Sequence, residues 1–123
     1  MLTLICGYPR AGKTTYAQRY SCPVIHLDEC HSTAAVIARV QSDAGDVVVE
    51  GVYDGRRMRT ALLSAYKGNG TRCIFLDTPL EVREKRAGRK IRMHNHPFPA
   101  PAYDEGWDEI IVVRDGEETL LER

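Results

Sequence analysis

Gly7, Gly12, Lys13 and Thr14 fall at the spacing G-x-x-x-x-G-K-[ST] within the stretch GYPRAGKT. In a chain of ordinary composition this pattern arises by accident on the order of once in a few hundred sequences, so its context matters. The apolar run LTLIC precedes it and the helix-compatible KTTYAQRY follows it. Strand, loop and helix in that order present inward-pointing amides and a positive helix end to an anion. The chemistry implied is the holding of a nucleotide's phosphates. Gly7, Arg10, Ala11, Gly12, Lys13, Thr14 and Thr15 are the expected nucleotide-binding set, with the Arg10 to Thr14 amides around the β-phosphate. Lys13 would bridge the β and γ phosphates and Thr14 would hold magnesium. Loops of this kind often carry Gly where Arg10 stands, which leaves its guanidinium directed at substrate or solvent. The competing reading is a glycine-flanked turn with no ligand.

Carboxylates at strand ends are the next candidates, because ligands of open parallel sheets gather at the carboxyl ends of the strands. Asp28 follows the second apolar run and is the candidate general base for an acceptor hydroxyl; an Asp at such a position also serves as a helix N-cap. Glu50 ends the third run, where an acid can bind magnesium through water, or else be a solvated turn residue beside Gly51. Asp77 precedes Thr78 and reads as structural. Arg86 and Arg89, three apart, could neutralise charge on a transferring phosphoryl group or merely complement a helix C-terminus. Lys90 and Arg92 are weaker candidates, and Arg56, Arg57 and Arg59 could grip acceptor phosphates. Cys30, His31, His94 and His96 lack the paired spacing of a structural zinc site.

Elements must hold these groups together. LTLIC (Leu2 to Cys6), PVIHL (Pro23 to Leu27), DVVVE (Asp46 to Glu50), RCIFLD (Arg72 to Asp77) and EIIVV (Glu109 to Val113) read as strands buried on both faces. Helical patterns lie between them over Ser32 to Ser42 and Arg56 to Lys67, and TPLE at Thr78 to Glu81 predicts a capping box with Pro at the first helical position. The alternation predicts a parallel sheet with helices on both faces. Three prolines between Pro97 and Pro101 predict a long irregular loop, and Asp115-Gly116 a hairpin turn. A chain of 123 residues with 17 basic and 17 acidic side chains is the size of one domain and has no overall field demanding nucleic acid or membrane. Cys6, Cys22, Cys30 and Cys73 are expected to be reduced thiols, and the absence of a leader or apolar span predicts a cytoplasmic protein.

The phosphate loop, HLDECH, VVVEGVYDGRR, FLDTPLEVREKRAGRK and DEGWDEIIVV, in this order, resemble the polynucleotide 5′-hydroxyl kinase branch of P-loop kinases. They are also similar to compact phage kinases acting on hydroxymethyl groups of DNA bases. Length and the five apolar runs predict a single domain over residues 1–123 with a five-stranded parallel sheet, and the resemblance, which runs from Met1 to Val113, implies that it is a P-loop kinase domain, with a short lid and Pro-rich loop at about 86–106. It further implies Asp28 as base, a lid arginine at Arg86 or Arg89, ATP with magnesium, and a nucleic-acid partner. A small-molecule kinase for a nucleoside, nucleotide or sugar is the second expectation, and a regulatory module that binds nucleotide without chemistry the last. A GTP switch is disfavoured because neither D-x-x-G after the loop nor N-K-x-D is present.

Overall fold

The computed structural model describes residues 1–30, 32–53, 55–90 and 98–123. Its centre is β1 (Leu2–Gly7), flanked by β3 (Val47–Gly51) on one side and β4 (Thr71–Leu76) on the other, all parallel. β2 (Val24–His26) extends the sheet beyond β3, and β5 (Glu109–Arg114) extends it beyond β4, also in parallel. The order β2-β3-β1-β4-β5-β6 puts the sequence-order reversal at β1, so the carboxyl ends of the central strands face a common crevice.

The sheet has six strands rather than the expected five. β6 (Glu117–Leu120) returns antiparallel on β5 through the turn at Asp115-Gly116, both with positive φ, as a two-residue hairpin requires. β6 is fully exposed, so it lacks the apolar run that marks the buried strands.

Alternation along β1 explains the two cores. Leu2, Leu4 and Cys6 point to one face and join Val36, Val40, Leu62 and Trp107, whereas Ile5 points to the other and joins Ala11, Tyr16, Ala17 and Leu76. Each fully buried Leu or Ile contributes roughly 1.5–3 kcal/mol. The first face is covered by α3 (Thr33–Gln41), capped by the Ser32 hydroxyl accepting from the Ala35 amide at 3.1 Å, and by α4 (Arg56–Ala65). The second is covered by α1 (Lys13–Ala17), whose Tyr16 and Ala17 are buried there. A single turn of helix, α2 (Leu27–Cys30), follows β2 directly.

One local sequence expectation is corrected. The Thr78 capping box does not form: α5 (Leu80–Ala87) begins after Pro79, and the Thr78 hydroxyl instead donates to the Ala11 carbonyl at 2.9 Å. That bond ties α5 to the loop after β1. The Pro-rich loop is irregular as expected over residues 98–102, and it is packed down: Phe98 lies on Tyr8 and Phe75, with ring centroids 4.8 and 5.3 Å apart. A 3₁₀ turn at Tyr103–Glu105 then sends Glu105 and Trp107 into the first core. His31, Arg92, His94 and His96 lie outside the described residues. No helix among the described residues is long and apolar enough to cross a membrane.

Candidate active site

The loop from Gly7 to Gly12 leaves β1 and folds back on itself, with the Ala11 amide donating to the Tyr8 carbonyl at 3.1 Å. Arg10 sits at φ 67° and Gly12 at φ 101°. The left-handed geometry that loops of this kind often fill with Gly is therefore adopted here by an arginine, at a local cost of order 1 kcal/mol. The Arg10 side chain is exposed, while its carbonyl accepts from Arg86 Nη1 at 3.1 Å. A side chain at Gly12 would strain the backbone, and its Cβ would lie 3.2 Å from the same Arg86 nitrogen.

Lys13 is buried at the head of α1, and its ammonium donates to the Tyr8 carbonyl at 2.9 Å. Burial pulls its pKa below the ordinary lysine value, while the nearby Glu50 and Asp28 carboxylates oppose that shift. Desolvation thus disfavours the cation and the two acids offset only part of that, so added negative charge from a phosphate would stabilise it further. Thr14 and Thr15 follow on the exposed side of the helix start.

The cleft these residues enclose is about 930 Å³, which is ample for a nucleoside triphosphate. Its floor is the loop from Pro9 to Thr15, one side carries Asp28 and Glu50, and the other carries Thr78 and Arg86. Val113, Asp115 and Gly116 of the β5–β6 hairpin complete the far end. Of the expected set, Arg10, Ala11, Gly12, Lys13, Thr14, Thr15, Asp28, Glu50 and Arg86 line this cleft. Gly7 is buried behind it as the last residue of β1. Arg89 does not line it; it follows the Gly88 cap of α5 and is exposed, as is Lys90.

Asp28 lies in the first turn of α2 and is exposed, so it faces the cleft instead of capping α3, a task taken by Ser32. Glu50 is no solvated turn acid. It is buried within β3, and His26 Nδ1 lies 2.7 Å from its Oε2. Among the described residues, no group of three or more His, Cys, Asp or Glu could hold a metal by itself. The Thr14 hydroxyl and Glu50 carboxylate nevertheless supply hard oxygen donors to one cleft, which suits a magnesium ion that keeps most of its waters and arrives with phosphates.

The arginines of α4 do something else. Arg59 is completely buried and forms a bidentate pair with Glu105, Nε to Oε1 at 2.9 Å and Nη2 to Oε2 at 2.8 Å, while Nη1 donates to the Tyr53 carbonyl at 3.0 Å. Arg56 pairs with Asp104 at the surface, at 2.8 Å. Only Arg57 of the trio is an exposed cation without a drawn-in carboxylate among the described residues. Arg83, which reads as one more member of a basic stretch, is buried with its guanidinium 4.3 Å from the Tyr8 ring centroid. His26 is the group that sequence reading passed over, because a lone His inside the apolar PVIHL carries no motif. Its register opposite Glu50 was the available signal, and that register is visible only once β2 and β3 are paired.

The β1–loop–α1 unit at the centre of a mostly parallel sheet defines the class by fold: an open α/β sheet flanked by helices, with a glycine-rich loop between its central strand and α1. Among solved structures the chain is similar to an unliganded crystal structure of a sugar kinase from Janibacter sp. HTCC2649, with a TM-score of 0.64 and 17% identity over 92% of this chain and 84% of that one. A likeness at this identity speaks for the fold. No protein-family model and no curated protein matches the chain.

Proposed function

We propose that this protein is an ATP-dependent phosphotransferase that moves the γ-phosphate to an alcohol hydroxyl, with a polynucleotide 5′-hydroxyl as acceptor. The observation that carries the reading is the convergence of Lys13, Thr14, Asp28, Glu50 and Arg86 on one cleft around a P-loop. Asp28 accepts the proton of the acceptor hydroxyl. The freed oxygen attacks the γ-phosphorus, the bond to the β–γ bridging oxygen breaks, and ADP departs with that electron pair. Lys13 and Arg86 offset the charge that builds on the phosphoryl and bridging oxygens, and positioning supplies most of the rest. Thr14 and Glu50 would hold magnesium, which when bound withdraws charge from the phosphates.

The acceptor rests on the resemblance of HLDECH, VVVEGVYDGRR and DEGWDEIIVV to polynucleotide kinases. A small polyol or nucleoside acceptor is the second reading, favoured by a specific observation: Arg59 and Arg56 are held by Glu105 and Asp104, so α4 presents little free positive charge to a phosphate backbone. Labelled ATP offered with 5′-hydroxyl oligonucleotides, hydroxymethylated DNA, nucleosides and sugars separates the readings. Label on the oligonucleotide 5′ end, with acceptor KM rising steeply with salt, supports the first. Label on a small acceptor alone, insensitive to salt, replaces it with the second, and no label on any acceptor overturns both.

A further inference from the structure

Glu50 poses a problem of orientation. A glutamate has one more rotatable bond than an aspartate, and a carboxylate that must meet a hydrated cation at a fixed point loses precision with each free torsion. The loss of freedom has to come from a neighbour. Lys13 does not supply it, because its ammonium is turned to the Tyr8 carbonyl. Among the described residues, His26 is the one hydrogen-bond partner of the Glu50 carboxylate, at 2.7 Å.

The fold sets this contact up. His26 and Glu50 are directly paired residues at the carboxyl ends of the parallel strands β2 and β3. The residue after each of the pair closes the gap: a Cβ at Gly51 would come within 2.8 Å of the Cβ of Leu27, the first residue of α2, and 2.9 Å of the Tyr53 ring, so only glycine lets the two segments approach this far. His26 is half-buried and Glu50 nearly fully buried; Oε2 of the carboxylate is committed to the imidazole, and the residue lines the cleft. An ionised carboxylate has no proton to give, so Nδ1 carries the hydrogen.

We infer that His26 is a positioning residue, whose Nδ1–H fixes the Glu50 carboxylate so that its remaining oxygen faces the cation accompanying the nucleotide. This rests on the nucleotide-binding reading above. It makes two strands act as one support, with β2 setting the angle of the acid that β3 supplies and Asp28 following two residues after His26 in the first turn of α2. Histidine that orients a carboxylate from outside the ligand shell is the mirror image of the familiar carboxylate that orients a histidine.

The test is calorimetric and does not need turnover. ATP affinity is measured with and without Mg2+ for the wild type and three variants, each first checked for a cooperative thermal transition. Removal of an outer partner of this kind costs about 10–100-fold in metal affinity. His26→Leu is therefore expected to lose at least about tenfold of the Mg2+-dependent gain in ATP affinity while metal-free ATP binding is unchanged. His26→Asn, whose amide nitrogen occupies the place of Nδ1, retains the gain. His26→Gln, which is polar but puts its amide where Nε2 stood, behaves like the leucine variant and guards against a folding artefact. A gain that survives in the leucine and glutamine variants, or that is lost equally in the asparagine variant, overturns the inference while leaving nucleotide binding intact. A wild-type protein that binds no ATP in either buffer overturns both.

Discussion

Two buried glutamates, Glu50 and Glu105, sit in the same fold and lead opposite lives. Glu105 has every acceptor position filled: Arg59 and Trp107 donate to Oε1 at 2.9 and 3.0 Å, and Arg59 and the Ala102 amide to Oε2 at 2.8 and 3.3 Å. Glu50 has His26 on one oxygen as its hydrogen-bond partner among the described residues, and it lines the open cleft. A charge whose partners are complete holds elements together, here α4 to the segment leading into β5. A charge whose partners are incomplete at a strand end is stabilised further only when something enters. The difference separates architecture from chemistry more sharply than residue type does, since both clusters contain a carboxylate, a cation and a ring.

The comparison predicts that substitutions around the cleft change turnover with little change in stability, and that those around Glu105 do the reverse. The largest effect belongs to Lys13→Ala, expected to reduce kcat by about 10³-fold, with a melting temperature equal to or above the wild type because a desolvated charge has been removed. A melting temperature that falls by many degrees would move Lys13 into the structural class. Arg86→Ala is expected to cost about 10²-fold in kcat, whereas Arg89→Ala, which does not line the cleft, stays near wild type; equal losses would mean that the exposed end of α5 also reaches the phosphates. Asp28→Asn should lower kcat by about 10²-fold while ATP affinity, read by titration of the protein with nucleotide, is unchanged. Retention of full activity removes Asp28 from the role of base.

Much of this was legible in the sequence. The glycine-rich loop after β1 announced itself because G-x-x-x-x-G-K-T fixes residue types at fixed spacing, and the buried strands because burial on both faces writes continuous apolar runs. The pairing of distant side chains wrote nothing comparable. Arg59 looked like one of three basic residues at a helix start, and only Glu105, 46 positions away, reveals it as a buried strut. Thr78 followed the capping-box pattern faithfully, yet the Ala11 carbonyl, 67 positions away, offered its hydroxyl a better partner. β6 was anticipated as a return at Asp115-Gly116 but not counted as a strand, since an exposed edge carries charges where a core strand carries valine. Local patterns report local physics, and His26 became visible only through the register of two strands.

The other half of the comparison is tested by breaking the strut. Glu105→Gln keeps the shape but strips Arg59 of its counter-charge, and a broken buried pair costs about 3–5 kcal/mol, read as a fall in the denaturation midpoint. The ATP affinity of the folded fraction should not move. If it falls in step with stability, the strut and the cleft are one cooperative unit and Glu105 and Glu50 do not act separately.

Acid provides the gentlest probe of the same pair. Burial alone would raise the Glu105 carboxyl, but hydrogen bonds from Arg59 and Trp107 and the Arg59 charge outweigh it and hold its pKa below the ordinary glutamate value of 4.5. The folded state therefore favours the ionised form more than the unfolded chain does. That contribution is complete above the unfolded pKa and is lost as pH falls through the folded one, so wild-type stability should decline on acidification below about pH 4.5. In Glu105→Gln the corresponding part of the decline is absent, because no proton is left to bind, and the two stability curves converge toward low pH. Curves that stay parallel would mean that Glu105 is already protonated in the folded protein, and that the contrast with Glu50 is one of burial rather than of satisfied charge.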